Sequence, residues 1–301
     1  MQQSLSAPPS DSGELIGTYR HGKGFLVFLL SFGGVMLCLA GFLLYLSSVL
    51  PASDNGPVSV HTRRGMALDF SSPEMLIYCV SGFLAFIALG MFALYLQQKK
   101  RRQAVYDVYQ HGVAYGIGAT RTYLPFADIE DLYLFTSGQA AYSGLITNVA
   151  FRRNAGEPFH RVVESLKGFY GFQQEVRQLH VHERLPVVMS TLAAGGAVTF
   201  KFLADRKVWS KRAAGNPLDV STESISLTRA FLEVRGRQVA ISTLNTVDLN
   251  AWTERVIIRD EAGKEVLNTI CTGIMSHDLF LNTLAALFEA SHTGEPLTAP
   301  A

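Results

Sequence analysis

The chain has 301 residues, 26 Lys plus Arg against 25 Asp plus Glu, and a formal net charge of +1, so its overall electrostatics exclude a nucleic-acid partner. A hydrophobic fraction of 48% beside only 17% charge, with a mean hydropathy of +0.19, is too apolar for an ordinary soluble protein. Its three cysteines, Cys38, Cys79 and Cys271, offer neither a disulfide framework nor a metal-ligand spacing.

In chain order, residues 1–23 are rich in Ser, Pro and Gly and read as a flexible cytoplasmic tail. Gly24–Leu50 then runs without a charge, and about 20 such residues cross ~30 Å of hydrocarbon. The run is too long for the apolar region of a signal peptide and no small-x-small cleavage site follows, so it reads as a retained transmembrane helix. A polar extracytoplasmic connector, 51–74, leads to a second span at 75–97, which ends in Lys99, Lys100, Arg101 and Arg102. Arg20 and Lys23 before the first span and these four after the second outnumber Arg63 and Arg64 in the connector. The excess of basic residues places both termini in the cytoplasm. Gly34, Cys38 and Gly41 on the first helix, and Ser81 with Ala85 on the second, are small residues at helical spacing. They suit either packing within the hairpin or a homo-oligomer face.

From Ala104 the pattern becomes alternating, with strands expected near 105–109, 113–117, 120–124, 129–135, 146–151 and 159–163. Arg153-Asn154-Ala155-Gly156 reads as a hairpin turn in which Gly supplies a positive φ. The period then lengthens, and Phe169, Phe172, Val176 and Leu179 form the stripe of a helix. The order recurs. Phe151–Glu157 is matched by Ile258–Lys264, Leu124–Ile129 is placed against Ser242–Val247, and Phe172, Val176 and Leu179 return as Phe280, Leu284 and Leu287, with Ser276 as helix N-cap. The offset falls from 118 to 107, which puts 118 − 107 = 11 extra residues in Phe135–Leu145 of the first copy. Two tandem domains follow, at 104–194 and 195–290, with a flexible tail at 291–301.

A strand–Gly–strand opening, the Leu124-Pro125-Phe126-Ala127-Asp128-Ile129 step, the Ala155-Gly156 hairpin and a closing helix resemble bacterial pleckstrin-homology-like domains. Tandem copies behind a transmembrane hairpin are similar to a family of bacterial membrane proteins. The resemblance implies a membrane-anchored α+β fold: two transmembrane helices, then two seven-stranded PH-like sandwiches or barrels, each closed by a C-terminal helix. It also implies a binding or scaffolding role, with anionic phospholipid headgroups or a protein as partner, rather than catalysis. Thr243-Leu244-Asn245 departs from the Pro-Phe-x-Asp step in the second copy.

The residues themselves carry no recognisable enzyme motif, and no cofactor is expected. Gly116-Ile117-Gly118 lacks the third Gly and the following helix of a dinucleotide site and reads as a strand turn. His180 and His182 lie two apart on a helix, pointing to different faces, and read as a solvated helix end. Three sets of binding candidates stand out. Lys99, Lys100, Arg101 and Arg102 flank the membrane, where each cation adds about 1 kcal/mol of attraction to anionic lipid. Lys201, Arg206, Lys207, Lys211 and Arg212 surround Trp209 in a basic loop, at the position that carries headgroup cations in the lipid-binding domains it resembles. Tyr142 lies in the long loop of the first copy and suits protein contact. The alternative function is a regulatory or protective partner, an adaptor or toxin-neutralising protein, of another membrane or secretion system; an enzyme of unrecognised type is a distant alternative.

Overall fold

The computed structural model describes residues 9–49, 56–61, 67–117, 120–136, 146–203, 218, 221–250 and 255–293. The fold is α+β, with two long apolar helices and several antiparallel sheets. The chain divides into two units, Met1–Arg20 with Val105–Ala301, and His21–Ala104.

The second of these units is a helical hairpin of α1 (Gly24–Val49) and α2 (Pro73–Arg101), with a two-stranded ribbon, β2 (Val58–His61) and β3 (Ala67–Phe70), between them. Pro73 opens α2, where its missing N–H costs nothing, and the Ser72 hydroxyl accepts from the Met75 N–H at 3.2 Å. Both helices are long and apolar enough to cross a membrane. Only 11% of each apolar window is buried inside the protein, unlike a core helix of a soluble domain, which suggests membrane association. The least exposed positions recur at alternating spacings of three and four: Leu29, Gly33, Met36, Ala40 and Leu43 on α1, and Ile77, Ser81, Leu84, Ala88 and Met91 on α2. That is the seam of a left-handed helix pair. Gly33 sets the closest approach, since a Cβ there would sit 3.4 Å from Met91 Cβ and 3.6 Å from the Ala88 carbonyl oxygen. Of the two readings of the small residues on α1, packing within the hairpin is thus shifted by one residue, to Gly33 and Ala40. Gly34 and Gly41 have open space around them and Cys38 is exposed, whereas Ser81 is buried at the seam.

The other unit begins before the hairpin. β1 (Leu15–Arg20) pairs antiparallel with β4 (Ala104–Tyr109), with Tyr19 opposite Tyr106 and Arg20 opposite Val105. β5 (Gly112–Ile117) and β6 (Thr120–Pro125) complete a sheet of order β1-β4-β5-β6. The reading of residues 1–23 as a free tail, and of a first domain starting at 104, is thus corrected. Residues 15–20 are the first strand of that domain, and the hairpin is spliced in after it. Sequence periodicity cannot join a six-residue strand to a partner on the far side of two apolar helices.

β7 (Asp131–Phe135), β8 (Asn148–Arg152) and β9 (His160–Val163) form a second sheet. α3 (Phe169–Ala193) follows, entered through Gly168 in the left-handed region at φ 77°. The order then repeats: β10 (Val198–Leu203), β11 (Thr222–Leu227), β12 (Phe231–Val234) and β13 (Arg237–Ala240) in one sheet, and β14 (Leu244–Asn250), β15 (Arg255–Asp260) and β16 (Glu265–Ile270) in another. α4 (His277–Thr293) is entered through Ser276, also left-handed at φ 54°. It extends three residues into the segment expected to be a flexible tail.

The copies correspond in detail. Tyr19 meets Phe172 edge-on at 5.3 Å and 72°, and Phe200 meets Phe280 at 5.3 Å and 69°. The Phe126–Asp128 turn opens with a bond from the Phe126 N–H to the His111 carbonyl at 2.9 Å. The Ile241–Thr243 turn opens likewise, onto Ala230, at 2.9 Å. This fixes Phe126 against Ile241, an offset of 241 − 126 = 115, and moves the expected alignment by three residues. The interval between the flanking strands, 136–147 in the first copy against 251–254 in the second, differs by 12 − 4 = 8 residues, not 11. Within the hairpin turn, the Gly156 N–H bonds the Asn154 Oδ1 at 2.9 Å, so a side-chain-closed turn replaces the expected positive φ, which appears instead at Gly263 (φ 73°).

The copies are fused rather than strung together. Phe172, Val176 and His180 in the first half of α3 are buried with the first copy, while Leu185, Val188, Met189 and Leu192 in its second half join the core of the second. One helix thus serves two cores, and Gly195 ends it at φ 81°. Tyr133, Phe135 and Ala150 from the first copy pack with Leu203 and Met275 from the second. Ser276 does not cap its helix with its hydroxyl. Its Oγ donates to the Glu130 carbonyl at 2.9 Å and accepts the Leu132 N–H at 3.0 Å, covering the edge of β7.

Candidate functional site

The cations expected to bind lipid or partner fall into different surroundings. Lys99 and Lys100 lie on the last turn of α2, where positive charge suits the helix dipole. Both are exposed, and the Lys99 ammonium sits 5.9 Å from the centre of the Tyr95 ring. Arg102 closes the foot of the hairpin: its Nη1 donates to the Gly22 carbonyl at 3.1 Å and its guanidinium lies 5.0 Å over the Phe25 ring. It has a packing role whatever else it binds. Arg101 belongs to α2, and its side chain lies outside the described residues, as do Arg206, Lys207, Trp209, Lys211, Arg212 and Tyr142 entirely.

Lys201 is not part of a free basic surface. Its ammonium is 2.8 and 2.9 Å from the two oxygens of Asp131, which is almost fully buried and also accepts the Arg152 Nε–H at 2.6 Å. Arg152 in turn covers the Phe159 ring at 4.1 Å. One carboxylate on β7 therefore holds a guanidinium of its own copy and an ammonium of the other. Nothing in the local sequence around Lys201 announces this, because Asp131 lies seventy positions away.

A second polar junction couples α3 and α4. Arg177 grips Asp278 with two bonds, Nε to Oδ2 at 2.6 Å and Nη2 to Oδ1 at 2.8 Å. Burial works to raise the Asp278 pKa, but the Arg177 hydrogen bonds and neighbouring His277 hold it below the usual carboxylate range. His277, 3.2 Å from Asp278 Oδ1, is pushed down by burial. His180, expected at a solvated helix end, is 1% exposed and bonds the Ile129 carbonyl through Nε2 at 2.9 Å. Burial pushes its pKa down to about 4. His182 is indeed solvent-facing, at 80% side-chain exposure.

The remaining concentration of chemistry is a cleft at an open end of the first copy, lined by Tyr115, Thr122, Phe151, Arg153, Glu157 and His160 among others. The His160 and Tyr115 rings are 3.9 Å apart, and His160 Nε2 lies 3.3 Å from the Tyr106 hydroxyl. Burial lowers the His160 pKa to about 4 and raises that of Tyr115, so both are neutral near pH 7. Among the described residues, no group of three or more His, Cys, Asp or Glu is arranged to hold a metal. The chain matches no family model and no curated protein.

Proposed function

We propose that this chain is a non-catalytic, membrane-anchored binding module built from two PH-like copies, working on the cytoplasmic side of a bacterial inner membrane and recognising anionic lipid headgroups or a protein partner. The observation that carries the reading is the pairing of β1 with β4 across the hairpin. Since Arg20 and Val105 are opposite one another, a two-span insertion between them begins and ends on the same side of the bilayer. The excess of cations at its two ends makes that side the cytoplasmic one. The exposed Lys99 and Lys100, with the basic segment 206–212 around Trp209, are the surfaces for contact.

The test uses the full chain in lipid nanodiscs, with Trp252→Phe so that Trp209 is the only tryptophan. Brominated anionic lipid is expected to quench Trp209, and Lys207→Glu/Lys211→Glu to abolish the quenching. Equal quenching by zwitterionic lipid removes the headgroup reading. No quenching at all, with one stoichiometric protein crosslinked in native membranes, assigns the surface to a protein partner. Reporter fusions at residue 60 and at the C-terminus test sidedness, and an extracytoplasmic C-terminus would refute the placement.

A further inference from the structure

The two copies share a backbone plan and part company at one corner. In the ladders, Tyr115 opposite Thr122 in the first copy corresponds to Val234 opposite Arg237 in the second. Phe151 opposite His160 corresponds to Ile258 opposite Leu267, and Arg153 falls at the position of Asp260. In the second copy this corner is sealed. Val234, Ile258 and Leu267 are buried, and Arg237 Nη2 donates to Asp260 Oδ2 at 2.5 Å across its rim.

In the first copy the same corner is open, as a small cleft. The aliphatic plug is replaced by Tyr115 and His160, and the rim pair is broken, with Arg153 in the acid's place and Thr122 in the arginine's. Arg153 makes two long ion pairs, Nε to an Asp128 oxygen at 3.5 Å and Nη1 to Glu157 at 3.8 Å, but its buried Nε lacks a hydrogen bond. A buried N–H left without an acceptor costs about 1–3 kcal/mol, and an incoming oxygen removes that cost.

We propose that this cleft binds a small monocarboxylate, whose planar oxygens take the Arg153 Nε–H and the Thr122 hydroxyl while its short apolar stem lies against Phe151 and the Tyr115 ring. Asp128 and Glu157 flank Arg153, so a dianion such as phosphate meets repulsion that a monoanion largely avoids. His160 is neutral and adds no charge that would reverse this preference.

The experiment titrates propionate into the full-length protein in detergent and follows ligand-observed saturation-transfer NMR. A saturable signal at millimolar propionate is expected, with affinity falling at least about tenfold in Arg153→Gln. The double variant Tyr115→Val/His160→Leu copies the second repeat, whose backbone already accepts those side chains. It is expected to abolish binding while unfolding no earlier than wild type. Absence of a saturable signal, or one unchanged in both variants, overturns the proposal. Displacement of propionate by equimolar inorganic phosphate overturns the carboxylate assignment.

Discussion

Replacing Lys201 separates a structural cation from a binding one. In the fold its side chain is 19% exposed and its ammonium lies 2.8 Å from the carboxylate of Asp131, whose side chain is 4% exposed. At an effective dielectric of about 20, two unit charges at that distance attract by roughly 6 kcal/mol before desolvation is subtracted. Lys201→Met leaves Asp131 held by Arg152 at 2.6 Å, so a net loss of about 1–2 kcal/mol is expected. Lys201→Glu sets a second carboxylate against the first in a nearly dry site, and the loss should reach about 3–5 kcal/mol. At roughly 2–4 °C per kcal/mol for a unit of this size, the glutamate variant melts about 6–20 °C below wild type. Thermal unfolding of the full chain in nanodiscs, followed by near-ultraviolet circular dichroism, reads this directly. Asp131→Asn closes a double-mutant cycle that isolates the pair. A glutamate variant as stable as wild type that nevertheless loses anionic-lipid contact would refute the structural assignment of Lys201.

Acid should loosen the two-copy unit before its carboxylates titrate. His180 has a folded pKa of about 4 against about 6.5 unfolded, so the unfolded chain takes the proton first. Its contribution is complete above pH ~6.5 and is lost as pH falls towards ~4, by about 2 kcal/mol at pH ~5 and about 3 kcal/mol in all. Denaturant midpoints across that range measure this, and His180→Gln should reduce the slope, with buried His160 supplying a similar share of what remains. Tyr19→Ala removes the edge-on partner of Phe172 and should cost about 2 kcal/mol, with faster amide exchange in both β4 and the first half of α3. Unchanged exchange there would mean that β1 is dispensable. In the hairpin, Gly33→Leu should separate α1 from α2 and Gly41→Leu should not. Crosslinking of cysteines placed at Met36 and Ala88, with Cys38 and Cys79 replaced, reports the difference.

The apolar spans and the strands after Ala104 were legible because each imposes its own period on a continuous stretch. The second copy was legible because Phe280, Leu284 and Leu287 repeat a spacing. What sequence could not supply is pairing at a distance. Leu15–Arg20 is an unremarkable hexapeptide until it is set beside β4, and Lys201 looks like one of a basic group until Asp131 is placed against it. His180 and His182 are neighbours in sequence, yet α3 turns one into a core and the other into solvent. The three-residue slip near Phe126 has a similar origin: short turns carry few side chains, and only the Phe126 and Ile241 backbone bonds fix the register. The corner built from Tyr115, Arg153 and His160 was within reach of sequence alone, because a correct alignment of the copies sets His160 over Leu267 and Arg153 over Asp260.

The spliced hairpin also bears on how the chain comes to fold. Bringing Tyr19 to Tyr106 means closing a loop of 106 − 19 = 87 positions. For a free chain, the length-dependent part of that closure entropy is about 4 kcal/mol. In the membrane-anchored reading, α1 and α2 pack side by side in a bilayer, their two feet already stand together, and most of that search is over. The lipid then does for β1 and β4 what a two-residue turn does for an ordinary hairpin. Insertion should set the pace at which the first copy acquires its sheet, and chains whose hairpin misses the membrane should be left with β4 as an unpaired, association-prone edge.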